Sequence, residues 1–221
     1  MTPPRRAGFF IAFEGIDRCG KSTQVESLCA ALLSQGLPVG YAGVPGGSLR
    51  EPGGTPTGEA LRDLLLHRRH AIDSWTEALL YAAARAQLVA DVIRPSLAGG
   101  QIVICDRYLD SSLAYQGHAR GLGIDRVRDL NLWATGGLLP DLTVLVELSP
   151  EVAATRAGGL TPDRIEREGL ELQRRVAEGY ALLVAAERQR FVVVDGSAAV
   201  VEVASVVLGR VLEALEVTCV R

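Results

Sequence analysis

Lysine is almost missing from this chain. Of its 23 basic residues, 22 are arginine, and Lys21 is the only lysine among 221 residues. Methionine occurs once, histidine three times and cysteine four times. Each scarcity removes a class of function. His67, His70 and His118 make no HExxH pair, so no zincin-type metal centre is expected. Cys19, Cys29, Cys105 and Cys219 make no CxxC pair, which argues against a zinc ribbon and predicts reduced thiols, as in a cytoplasm. No uncharged apolar run reaches the roughly 18 residues of a membrane span. The apolar stretch Gly8–Phe13 stops at Glu14, too short for a secretory signal. Basic residues do not exceed acidic ones; the net charge is −3, against a chain that coats nucleic acid or an anionic membrane. A guanine site of the NKxD kind would need a second lysine, which weighs against a GTPase switch.

What is present describes a globular α/β chain. Hydrophobic residues make up 48% and charged residues 22%, and the length predicts one domain over residues 1–221. Apolar runs alternate with helical stretches. Strands are expected at Phe9–Phe13, Val39–Val44, Gln101–Cys105, Leu142–Leu148 and Phe191–Val194. Helices are expected from Lys21 to Ser34, from Gly58 to Leu66, and from Ser74, read as a capping box with Glu77, to about Arg94. Others start at a cap on Asp125, at Ser149-Pro150, at Thr161-Pro162 and near Val200. Buried strands separated by helices imply a five-stranded parallel sheet with helices on both faces, and ligands beyond the carboxyl ends of its strands.

The first strand runs into Gly15-Ile16-Asp17-Arg18-Cys19-Gly20-Lys21-Ser22-Thr23, which fits the GxxxxGK[ST] phosphate loop in its required strand-to-helix context. Glycines let backbone N–H groups converge on an anion, and the helix N-terminus adds positive potential. Lysine is a compact cation that reaches the β- and γ-phosphates, and Ser22 offers a hydroxyl to Mg²⁺. Arginine has displaced lysine everywhere else, so Lys21 stands where a planar guanidinium would not serve. Asp106, at the end of the third strand and followed by Arg107, is a candidate for the magnesium shell or for a helix cap. Cys19 reads as a small spacer in the loop.

Four blocks resemble the thymidylate kinase family: Phe13 to Gln24, Arg50-Glu51-Pro52-Gly53-Gly54-Thr55-Pro56, Asp106 to Gly117, and Asp163-Arg164-Ile165-Glu166 with the helix beyond it. The resemblance implies the P-loop nucleoside monophosphate kinase fold and ATP-dependent conversion of dTMP to dTDP, with Mg²⁺ as cofactor and a homodimer as the assembly. It implies that Asp17 meets the sugar 3′-hydroxyl and that Arg50 and Arg107 hold the acceptor phosphate. Tyr81 and Arg85, one helical turn apart, would stack on thymine and bond its edge. Ser112 and Gln116 would complete base recognition, and Tyr115 would lie under the deoxyribose and exclude a 2′-hydroxyl. Arg18 and Arg156 would attend the transferred phosphates.

The sequence departs from the family pattern in four places, one of them Leu49, which precedes Arg50 where a polar residue is usual. Val44 to Leu49 repeats part of the block that follows Arg50, and the second copy is the one expected to meet phosphate. Tyr81 stands where phenylalanine is common. The LID, about 156–164, is short and carries no basic residue at its centre, which resembles members whose catalytic arginine sits in the phosphate loop, here Arg18. Arg164 is read either as a second clamp on ATP or as surface charge. A kinase for dUMP or a 5-modified pyrimidine deoxynucleotide stays open at this level, as does a P-loop protein that binds nucleotide without transfer.

Overall fold

A computed structural model describes residues 8–40, 48–67, 71–156 and 162–219. Five strands form one sheet: β1 (Phe9–Glu14), β2 (Ser48–Arg50), β3 (Ile102–Asp106), β4 (Leu142–Glu147) and β5 (Phe191–Asp195). All neighbours are parallel, in the order β2-β3-β1-β4-β5. Side chains alternate faces along a strand, and all six residues of β1 are buried. Both faces of the sheet are therefore covered, which is why FFIAF reads as a continuous apolar run.

The helices are α1 (Lys21–Ser34), α2 (Pro56–Arg62), α3 (Ser74–Leu88), α4 (Arg94–Ala98), α5 (Leu109–Ser112), α6 (Ile124–Thr135), α7 (Pro150–Thr155), α8 (Gly169–Ala186) and α9 (Val200–Cys219). Three continue through π-helical turns: α2 into Asp63–His67, α3 through Val89–Ile93 into α4, and α5 into Leu113–Ala119. Gly179 brings α8 hard against the last of these, since a Cβ there would sit 3.0 Å from the Ala114 backbone.

Several expectations change. The second strand is β2, not Val39–Val44; Val39 makes an isolated bridge to Ile102, and residues 41–44 lie outside the described residues. Three residues at a sheet edge give too short an apolar run to stand out. Asp73, not Ser74, caps α3: its carboxylate accepts from the N–H of Trp75 at 2.9 Å and of Thr76 at 3.4 Å. Glu77 is thereby released from a capping box and turns inward. Gly123 is the cap of α6, and Asp125 sits in its first turn. The helix expected from Thr161-Pro162 begins later, with a 3₁₀ turn at Glu166–Glu168 and then α8; Thr161 lies outside the described residues.

The register positions the chemistry. Phe13 of β1 pairs with Asp106 of β3, and Asp106 with Arg50 of β2. Three carboxyl ends therefore finish side by side, where an open parallel sheet places its ligands.

Candidate active site

The phosphate loop leaves β1 at Gly15, whose φ of 141° suits only glycine and whose Cβ would meet the Val146 carbonyl oxygen at 2.5 Å. It ends at Gly20, φ 103°, which caps α1. Lys21 is 6% exposed, and its Nζ donates to the carbonyl oxygens of Ile16 at 2.7 Å and Gly15 at 3.1 Å, with Cys19 Sγ at 3.6 Å. Ser22 Oγ donates to Asp106 Oδ2 at 2.6 Å. Arg18 pairs across the loop with Glu166 at 3.1 Å.

Two hollows flank this loop. One, a cavity of about 290 Å³, opens toward β2 and β3. All eight residues expected to bind the acceptor line it: Asp17, Arg50, Tyr81, Arg85, Arg107, Ser112, Tyr115 and Gln116. The other, a groove of about 420 Å³, opens toward β4 and β5 and is lined by Cys19, Gly20, Thr23 and Arg156. Arg18, Lys21 and Ser22 line both. Arg156 reaches across the groove, donating to the carbonyl oxygens of Gly196 at 2.9 Å and Cys19 at 3.4 Å.

Arg107 is the hub of the cavity. Its backbone is left-handed, φ 73°, and its guanidinium donates to the Gly15 carbonyl at 2.9 Å, to Ser111 Oγ at 3.1 Å and to Asp17. Asp17 also accepts from Tyr115 Oη at 3.1 Å and from Gln173 Nε2 at 2.8 Å. Burial opposes the charge on Asp17, but Arg107 and Lys21 outweigh it and hold the carboxyl below its usual range. Behind Arg107 lies Glu14, fully buried. It accepts from Ser111 Oγ at 2.5 Å, Tyr180 Oη at 2.8 Å and the Tyr108 N–H at 2.8 Å. Burial, then repulsion from Asp110, pushes its pKa up to about 7.

Arg85 is 1% exposed and tightly held. It pairs with Glu51 at 2.6 Å and donates to Ser112 Oγ at 3.0 Å, to the Tyr108 carbonyl at 2.9 Å and to Asn131. Arg50, by contrast, is 61% exposed at its side chain and only 3.8 Å from Glu59, so it is free to swing toward an anion. Arg164 is not a surface charge and does not line the groove beneath Arg156. Its Nε donates to the Leu65 carbonyl at 2.6 Å and its guanidinium pairs with Glu77. The centre of the LID, residues 157–161, lies outside the described residues.

Sequence reasoning did not single out Gln173, the counter-ion Glu166, the Glu51 partner of Arg85, or the groove wall of Ala198, Val200 and Val203. Glu51 and Glu166 lay inside recognised blocks. The wall residues are small and apolar, with no chemical signature to find. Ser22 and Asp106 bring hard oxygen donors together, as a divalent cation requires; among the described residues no cluster of three or more His, Cys, Asp or Glu stands ready for a metal. No helix among the described residues is long and apolar enough to cross a membrane.

Comparison with known proteins agrees with this geometry. Residues 13–207 match the family model described as "Thymidylate kinase". The thymidylate kinase of Thermoanaerobacter sp. (strain X514) is 49% identical over 189 residues, 86% of this chain and 90% of that protein. That of Caldanaerobacter subterraneus subsp. tengcongensis is 47% identical over 209 residues, 95% and 97% of the two chains. That of Leifsonia xyli subsp. xyli is 49% identical over 206 residues, 92% and 94%. With the match covering both hollows and the loop between them, this chain belongs to the thymidylate kinase family.

Proposed function

We propose that the chain transfers the γ-phosphoryl group of ATP to the phosphate of dTMP, giving dTDP and ADP. The observation that carries this reading is the meeting of two hollows on Arg18, Lys21 and Ser22. Transfer needs donor and acceptor phosphates on either side of one set of cations, in line. The acceptor would sit with its phosphate against Arg50 and Arg107, its sugar between Asp17 and Tyr115, and its base between Tyr81 and the Arg85, Ser112 and Gln116 edge. The donor would lie along the groove under Arg156.

The acceptor phosphate is already an anion, so no strong general base is needed. The protein's work is positioning and neutralisation of charge. Lys21 exchanges the Gly15 and Ile16 carbonyls for phosphate oxygens, and Arg18 leaves Glu166 for the transferred group. Guanidinium forks on Arg50 and Arg107 bind phosphate through paired, charge-assisted hydrogen bonds. Ser22 and Asp106 would hold Mg²⁺, which when bound neutralises charge on the phosphate oxygens.

Residues 1–221 are read as one kinase domain with its LID at about 156–164. The cytoplasm is its expected place, and a homodimer its expected form. The exposed Trp133 of α6, at 87%, and Leu79 of α3 support an interface on these packed helices. Elsewhere α3 turns inward, through Ala78, Ala82, Ala84, Arg85 and Leu88.

A coupled assay of ADP release tests the reading. Turnover with ATP and dTMP should exceed that with dUMP, and no acceptor should give almost none. Faster turnover with dUMP would move the substrate, and ATP binding without acceptor-dependent ADP would end the kinase reading.

A further inference from the structure

Glu77 is a buried charge that the reaction as described does not use. It lies in the first turn of α3 and is 1% exposed. Its Oε1 accepts from Gln116 Nε2 at 2.9 Å and from Arg120 Nε at 3.1 Å. Its Oε2 accepts from Arg120 Nη2 at 3.1 Å and from Arg164. Both arginines are themselves held: Arg120 by Glu168, and Arg164 by the Leu65 carbonyl. Burial opposes the charge on Glu77, but these hydrogen bonds outweigh it and keep the carboxyl below its usual range.

An ionised carboxylate can only accept. Gln116 must therefore give Glu77 its NH₂ and turn its carbonyl oxygen the other way. Gln116 is 2% exposed and lines the acceptor cavity. We infer that Glu77 is a positioning residue for acceptor selection: it locks the Gln116 amide with its oxygen toward the cavity, so that the site favours a pyrimidine bearing a ring N–H over one with a bare ring nitrogen. Thymine and uracil carry hydrogen on N3; cytosine presents a lone pair there. An acceptor facing that lone pair leaves two unpaired groups in a dry site, which is costly. Without the carboxylate, the amide is free to turn and offer its NH₂ instead.

This inference rests on the cavity being the acceptor-base site, and the experiment separates the two. kcat/KM is measured with dTMP and with dCMP for the wild type, Glu77→Asp, Glu77→Gln and Gln116→Ala, and for each Glu77 variant combined with Gln116→Ala. Glu77→Asp keeps the charge between Arg120 and Arg164 but withdraws it from Gln116 by one methylene. The dTMP-to-dCMP ratio is expected to fall about tenfold in Glu77→Asp and Glu77→Gln, the size of one misplaced hydrogen bond. The KM for ATP should stay unchanged, and Glu77 substitutions should not move the ratio further once Gln116 is alanine. An unchanged ratio in a folded Glu77 variant overturns the inference, as does an equal loss with Gln116 already removed. A purely structural role would depress both substrates together. Should neither Glu77 variant fold, the Gln116 NH₂ resonances of the wild type decide. They should hold their carboxylate-bonded positions when dTMP is added, and their displacement overturns the inference. A wild type that does not turn over dTMP sinks the functional reading and this inference together.

Discussion

Arg18 and Arg107 are the only non-glycine residues with positive φ among the described residues, at 63° and 73°. Left-handed backbone costs an ordinary side chain roughly 1–2 kcal/mol, so both guanidinium groups are held where they are against local preference. Glycine would relax that backbone. Arg18→Gly should therefore leave the thermal midpoint unchanged or raised while kcat falls about 10³-fold, the worth of a cis arginine on a transferred phosphoryl group. A loss under tenfold, with a larger loss from Arg156→Ala, would assign that work to the LID. Lys21→Arg is the companion test. The ammonium fits between two carbonyls at 2.7 and 3.1 Å, and a planar guanidinium does not. Turnover should drop below a tenth of wild type in a folded enzyme, although the chain has accepted arginine everywhere else. Glu14 gives a pH signature. Its pKa rises from an ordinary 4.5 to about 7 on folding, so the folded state holds this proton more tightly than the unfolded chain does. Its contribution to stability is full below the unfolded value and is lost as pH climbs through 7. Glu14→Gln should flatten the fall in thermal midpoint between about pH 5 and pH 8; an equally steep fall would count against this assignment.

At the scale of elements, what the sequence reveals depends on periodicity and punctuation. β1, β4 and β5 are largely apolar runs bounded by Gly15, by Ser149-Pro150 and by Gly196, and they fold within a residue of their expected limits. The segment from Leu109 to Ala119 was legible as a motif but not as a helix. It is buried nearly all round, so no amphipathic stripe betrays its period, and its second half is π-helical. Yet this segment carries Ser111, Ser112, Tyr115 and Gln116, so the candidate residues were readable from the motif before their scaffold was. The cavity residues were picked out by the family resemblance of their blocks, whereas Gln173 lies 156 positions from its partner Asp17 and only folding joins them. The start of α3 was displaced by one residue, because Ser74 and Asp73 are both good caps and only geometry chooses. Asp73→Ala should cost about 1 kcal/mol in denaturant unfolding, against a few tenths at most for Ser74→Ala. The reverse order would restore Ser74 as the cap.

At the scale of the molecule, the strand order separates the two hollows. β2 and β3 border the cavity proposed for the acceptor, β4 and the turn after β5 border the groove proposed for the donor, and β1 between them carries the loop that both share. Among the described residues only Arg18, Lys21 and Ser22 line both hollows. The enzyme is in effect two half-sites joined at three side chains, and selection can tune one half with little penalty in the other. A bulky replacement on the groove wall, such as Ala198→Phe, should raise the KM for ATP and leave the order of preference among pyrimidine acceptors intact. Drift in acceptor ranking would reveal a dependence between the halves that the fold does not display. Modularity of this kind lets one scaffold be re-addressed to a different monophosphate, or to a different triphosphate, by changing one edge of the sheet at a time.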